Sequence, residues 1–137
     1  MPDPSRVVLM TMLSRAGKLL LGGSIVLMGY GAAKDPGGRT AVAAPTLAKI
    51  REVVPLPDDD ELLVRVNGAV QTGAGAALAV GVLPRLSALA VAGSLITTTY
   101  AGHAYWTVED PAQRAAQRIQ FLKNAAMLGG LLVVAGS

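Results

Sequence analysis

The sequence predicts an all-α integral membrane protein: a bundle of four transmembrane helices, with a short amphipathic interfacial helix between the first and second. Three observations carry this reading. Hydrophobic residues make up 52% of the chain and charged residues only 15%, against about 25% charged in a typical soluble domain. Four long apolar stretches divide the 137 residues into one domain, each approaching the roughly 20 residues that a helix needs to cross the hydrocarbon. The apolar mass is Ala, Val, Leu and Gly, and glycine is frequent in membrane helices because it lets backbones approach closely.

The first span runs from about Met12 to Ala33 and is uncharged from Leu19 onward, with Arg15 and Lys18 near its start. Long basic side chains so placed can snorkel to the interface. Basic residues ahead of an apolar core, with Gly31, Ala32 and Ala33 near its end, also fit a signal peptide. No clear Ala-x-Ala site precedes Lys34, however, and further spans follow, so the segment is read as a retained helix. The second span covers about Leu62 to Leu83, and the third, Leu86 to Val108, holds no charge at all. The fourth, about Ile119 to Gly136, is interrupted only by Lys123.

The connections differ in kind. Lys34 to Glu61 is long, with turn residues Pro36, Gly37, Gly38, Pro55 and Pro57. Between these, Leu47, Ile50, Val53 and Val54 recur at helical spacing, which predicts a surface helix over Thr46 to Val54. The Pro84-Arg85 turn is so short that the spans on either side must be antiparallel neighbours. Asp110-Pro111 marks a helix start, with proline at the first helical position, and Asp35-Pro36 after the first span echoes it. Charge does not fix orientation outright. The termini and the Pro84 turn carry Arg6, Arg15, Lys18 and Arg85 against Asp3 alone, whereas the long loops balance Lys and Arg with Asp and Glu. The reading adopted is a multi-pass protein of the bacterial plasma membrane with cytoplasmic N- and C-termini.

Several classes are excluded or disfavoured. With no cysteine there is no disulfide, thiolate metal site or dithiol chemistry. The net charge of +3 comes without a Lys/Arg stripe, so nucleic acid is not an expected partner. There is no phosphate loop, nucleophile elbow or paired-histidine spacing, and thus no catalytic motif. The run Asp58 to Glu61 lacks the spaced ligands and central glycine of a Ca²⁺ loop and reads as a solvated helix start. The single histidine cannot hold a metal or haem without other ligands.

Polar residues inside the spans are the candidate site. Alternating helix direction brings Lys34, Asn67, His103, Lys123 and Asn124 to the membrane face that carries the long loops. Gln71 lies one turn deeper than Asn67 on the same side of its helix. Because polar groups are costly in lipid, Asn67, His103, Lys123 and Asn124 are expected to form one cluster, with Lys34 and Gln71 beside it. Each has a plainer reading too. Tyr105 and Trp106 suit an interfacial aromatic belt, Lys123 can snorkel, and His103 can cap. Thr97, Thr98 and Thr99 can return their hydroxyls to the preceding turn, and Gln71 can act as hydrogen-bonding glue between helices.

Four segments together carry a family resemblance. They are Gly31-x-x-Lys34-Asp35-Pro36; Asn67-x-x-x-Gln71-x-Gly73-x-Gly75 running into Val80-Gly81-Val82; Gly102-His103-Ala104-Tyr105-Trp106 with Asp110-Pro111; and Gln120 to Gly130 (QFLKNAAMLGG). Over nearly its whole length the chain resembles the DoxX family of small bacterial membrane proteins. The resemblance implies a four-helix membrane fold and an association with sulfur-handling and oxidative-stress oxidoreductases. Many members carry an acidic residue where this chain has Gln71, which weighs against proton or cation chemistry at this position. The leading expectation is a non-catalytic membrane subunit or scaffold that docks a partner oxidoreductase and has no cofactor of its own. The alternatives are a quinone-reactive subunit using His103, Lys123 and Asn124, and a small-solute carrier lined by Asn67, Gln71 and Thr98. The lipid bilayer is the expected surroundings, and a homo-oligomer is compatible with all three.

Overall fold

The computed structural model describes every residue from Met1 to Ser137. The chain is all-helical: α1 (Pro4–Lys34), α2 (Arg39–Arg51), α3 (Asp60–Val80), α4 (Pro84–Gly102), a 3₁₀ turn (Tyr105–Thr107) and α5 (Pro111–Ala135). Two of these, α1 and α5, are long and apolar enough to cross a membrane. Asp60, Glu61 and Arg65 dilute the apolar character of α3, as Arg85 and the Ser and Thr hydroxyls do in α4.

The ends of the helices follow local chemistry. Asp59 caps α3 by accepting from Leu62 N at 3.0 Å, and Asp60 and Glu61 in the first turn complement the helix dipole. Asp110 caps α5 through Gln113 N at 2.9 Å, with Pro111 at the first position as expected. Asp35, by contrast, ends α1, and Gly38 precedes α2, so the two Asp-Pro dipeptides play unlike roles. Between α3 and α4, Gly81 adopts a left-handed conformation (φ 78°) that lets Val82 N reach Ala77 O at 2.8 Å.

Boundaries depart from expectation where the chain turns earlier than hydropathy alone implies. α1 begins at Pro4, not near Met12, because Asp3 accepts from Ser5 N and proline starts the helix. α4 stops at Gly102, short of Val108, and the following turn carries Tyr105 and Trp106 back toward α5. α2 starts at Arg39 and ends at Arg51, ahead of the expected Thr46–Val54. Pro55 disfavours helix at the residue before it, so Val53 and Val54 fall outside and are exposed.

α1, α3, α4 and α5 form an antiparallel ring in which α1 packs on α3, α3 on α4, α4 on α5, and α5 returns to α1. The closest approach joins α1 and α3. Gly22, Ile25 and Gly29 line the buried face of α1, and Gly68, Gln71, Gly75 and Leu78 that of α3. A methyl on Gly22 would strike the carbonyl of Gly75 and lie 2.6 Å from Ala79 N; one on Gly68 would lie 2.6 Å from Ala33 N and 2.7 Å from Gly29 O. Only hydrogen fits between these backbones. The packed core, formed by Ile25, Leu78, Ala88, Val91, Ala92, Leu95 and Leu131, occupies the half of the bundle nearest the Pro84 turn. At the other end α2 folds against α3 and α4 with Leu47 buried, and forms a roof.

Candidate functional site

Beside that roof lies a cavity of about 690 Å³ that is open along one side, where Met28, Val42, Val66 and Val70 of its wall stay exposed; its volume is within the roughly 300–1,000 Å³ usual for small-molecule sites. Its walls come from α1 (Met28, Ala32), α2 (Val42, Leu47, Ile50) and α3 (Val66, Val70), with Ala101 of α4 opposite. Asn67, Gln71, Thr97, Thr98, His103 and Gln117 supply polar groups, and no carboxylate lines it.

Arginines hold the roof and the rim. Arg51 donates through Nε and Nη2 to Pro57 O at 3.0 and 2.6 Å, and its Nη2 lies 2.6 Å from Asp60 Oδ1. α2 is thereby tied to the start of α3. Arg65 pairs with Glu61 at 2.9 Å and donates to Ala33 O and Lys34 O at 3.1 and 3.0 Å, satisfying carbonyls that α1 leaves open at its end. Arg39, on the cavity wall, donates to Asp35 O at 3.2 Å.

The α3–α4 wall carries a directed hydrogen-bond network. Thr98 gives its only hydroxyl proton to Ser94 O at 3.0 Å, so its lone pairs must accept. They take Asn67 Nδ2 at 2.9 Å and Gln71 Nε2 at 3.1 Å. Ser94 Oγ donates to Asn67 Oδ1 at 2.7 Å. These proton assignments fix the orientation of both amides. Gln71 is only 3% exposed, lines the cavity, and has one N–H and its carbonyl oxygen left after this bond.

The six residues expected to cluster do not all meet. Asn67 and Gln71 converge on Thr98. Asn124 is buried but turns to Thr99, donating to its Oγ1 at 3.0 Å. His103 Nδ1 lies 2.7 Å from Gln117 Oε1 at the cavity's edge. Lys123 is exposed and has no hydrogen-bond partner, and Lys34 is exposed with its Nζ 5.8 Å from the Tyr30 ring centroid. His103, Lys123 and Asn124 therefore make no hydrogen bond to one another. Asn67, Gln71 and Thr98 share a surface on the cavity wall.

Thr97, Thr98 and Thr99 all return their hydroxyls to the preceding turn, as the sequence suggests, and Thr98 and Thr99 accept amides besides. Tyr105 and Trp106 pack edge-on against Phe121 at 5.4 and 5.8 Å between centroids, while Trp106 stays 47% exposed. Ser94, Gln117, Arg65 and the glycines Gly22, Gly29 and Gly68 escaped the sequence reading. The seven-residue spacing of Gly22/Gly29 and Gly68/Gly75 was the available signal for the last. No three His, Asp or Glu side chains gather in metal-binding geometry. Compared with known protein families, curated proteins and solved structures, the chain finds no match.

Proposed function

We propose that the chain is a four-span membrane protein of DoxX type, without catalytic chemistry, that holds a small apolar molecule in the cavity beside α2. The observation that carries this reading is the cavity itself: apolar walls around a few polar groups, of which only Arg39 is charged, at the end of the bundle where the core does not reach.

Membrane residence is supported by the surface. Only 17% of the apolar stretch of α1 and 11% of that of α5 is buried, unlike the core helix of a soluble protein. Exposed Leu, Val, Ile and Met side chains cover every helix of the ring, far beyond the apolar patches that soluble monomers tolerate. α3 and α4 contribute two further spans: with 21 and 19 residues they measure about 32 and 29 Å, against a hydrocarbon core of about 30 Å. A bacterial plasma membrane and cytoplasmic termini complete the reading.

Native mass spectrometry of the protein released from its own membranes tests the binding role. A small-molecule adduct is expected on the wild type and is expected to disappear in Ala101→Trp, which fills the cavity. A bare wild-type chain would contradict the reading, and a stoichiometric protein partner without an adduct would favour the docking role that the resemblance implies.

A further inference from the structure

We infer that the ligand of this cavity is a neutral lipophile bearing a hydroxyl, an alcohol or a phenol, whose O–H bridges the Asn67 and Gln71 side chains. This rests on the cavity being a ligand site and adds the chemistry of the ligand.

The argument is one of hydrogen-bond valence. Thr98 has both lone pairs and its proton in use, and Ser94 has spent its proton on Asn67. What remains on the two amides is one N–H of Asn67, one N–H of Gln71, a second lone pair on Asn67 Oδ1, and the Gln71 carbonyl oxygen, to which no protein group donates. Gln71 is 3% exposed, and the cavity is what its free amide groups face. That oxygen opens onto the cavity, where water can reach it, so an occupant that displaces the water keeps it satisfied only by bringing a donor of its own. A ligand carbonyl or ether can only accept and would leave Gln71 Oε1 unsatisfied. A hydroxyl donates to Oε1 and accepts from an adjacent N–H, answering the two kinds of free valence with one group.

Charge argues the same way. No carboxylate lines the cavity to receive a cation, and Arg39, its one guanidinium, is exposed at the rim, where water solvates its charge. The rest of the occupant lies against Met28, Val66, Val70 and Ala101, which suits an alkyl chain or ring.

The test compares 4-nonylphenol with its methyl ether, 4-nonylanisole, which keeps the size and loses the donor. Binding to the full chain in phosphatidylcholine nanodiscs is measured against empty nanodiscs, to remove partitioning. The phenol is expected to bind about tenfold more tightly than the ether, as one net hydrogen bond to a buried group allows. That preference is expected to vanish in Gln71→Leu, or in Gln71→Met should the leucine variant not fold. Equal affinities for the wild type would overturn the hydroxyl assignment and leave the cavity as an apolar site. A preference that survives the loss of Gln71 would also overturn it. Binding of neither probe would remove both this inference and the binding role on which it rests.

Discussion

Gly22→Ala is expected to destabilise the protein by about 3 kcal/mol, while Gly23→Ala, one residue along, is expected to be neutral or slightly stabilising. The methyl added at Gly22 meets backbone, the Gly75 carbonyl and Ala79 N, so no side chain can rotate away and α1 and α3 must part. Overpacking of this kind typically costs roughly 1–3 kcal/mol, and rigid backbone on both sides places it at the upper end. Gly23 has nothing within 4 Å of its added carbon, and alanine is the better helix former. Gly68→Ala and Gly73→Ala repeat the contrast on α3, where the first meets Ala33 N and Gly29 O and the second meets nothing. Thermal unfolding of the four variants in one detergent provides the check. Equal effects within each pair would mean that the two helices do not cross at these glycines.

Thr98→Val is the second large effect, expected at about 1–3 kcal/mol. Valine keeps the shape of threonine but removes the acceptor that Asn67 and Gln71 share, and a buried donor left without a partner costs on that order. Interhelical hydrogen bonds in membranes average less, about 0.6 kcal/mol, because the separated helices find other partners; two amides losing one acceptor raises the figure. Gln71→Leu in the same protein should be non-additive with Thr98→Val, since one bond is lost in both. Strict additivity in the double-mutant cycle would mean that the two side chains do not interact.

The contrast between what the sequence reveals and what it hides is clearest at Lys123 and Asn124. Counting residues along alternating helices gives depth, and Asn67 and Asn124 each meet a residue in the second half of α4, Thr98 and Thr99. Depth says nothing about azimuth. Neighbours on a helix point about 100° apart, so when Asn124 turns inward to Thr99, Lys123 is carried to the surface. Asn67 and Gln71, four residues apart, share a face by helix geometry alone, which is why that pair was legible. The run Asp58 to Glu61 and the dipeptide Asp110-Pro111 were legible as helix starts because such signals are local chemistry, while the choice of Asp59 as the cap was not. The glycine crossing was not, because Gly22/Gly29 and Gly68/Gly75 acquire meaning only once α1 is known to lie against α3 in antiparallel register. The roof was misplaced for a similar reason: apolar spacing around Leu47 and Ile50 extends to Val53 and Val54, but Pro55 ends the helix first.

The central claim, four spans with the α2 roof and the α5 start on one side, is tested most directly by sided labelling. The chain has no cysteine of its own, so single cysteines can be introduced without background. Asp58→Cys and Gln113→Cys should react with an impermeant maleimide from one side of sealed vesicles, and Ser5→Cys and Ser137→Cys only from the other. Labelling of Asp58→Cys and Gln113→Cys from opposite sides, or of all four positions from the same side, would contradict the four-span account.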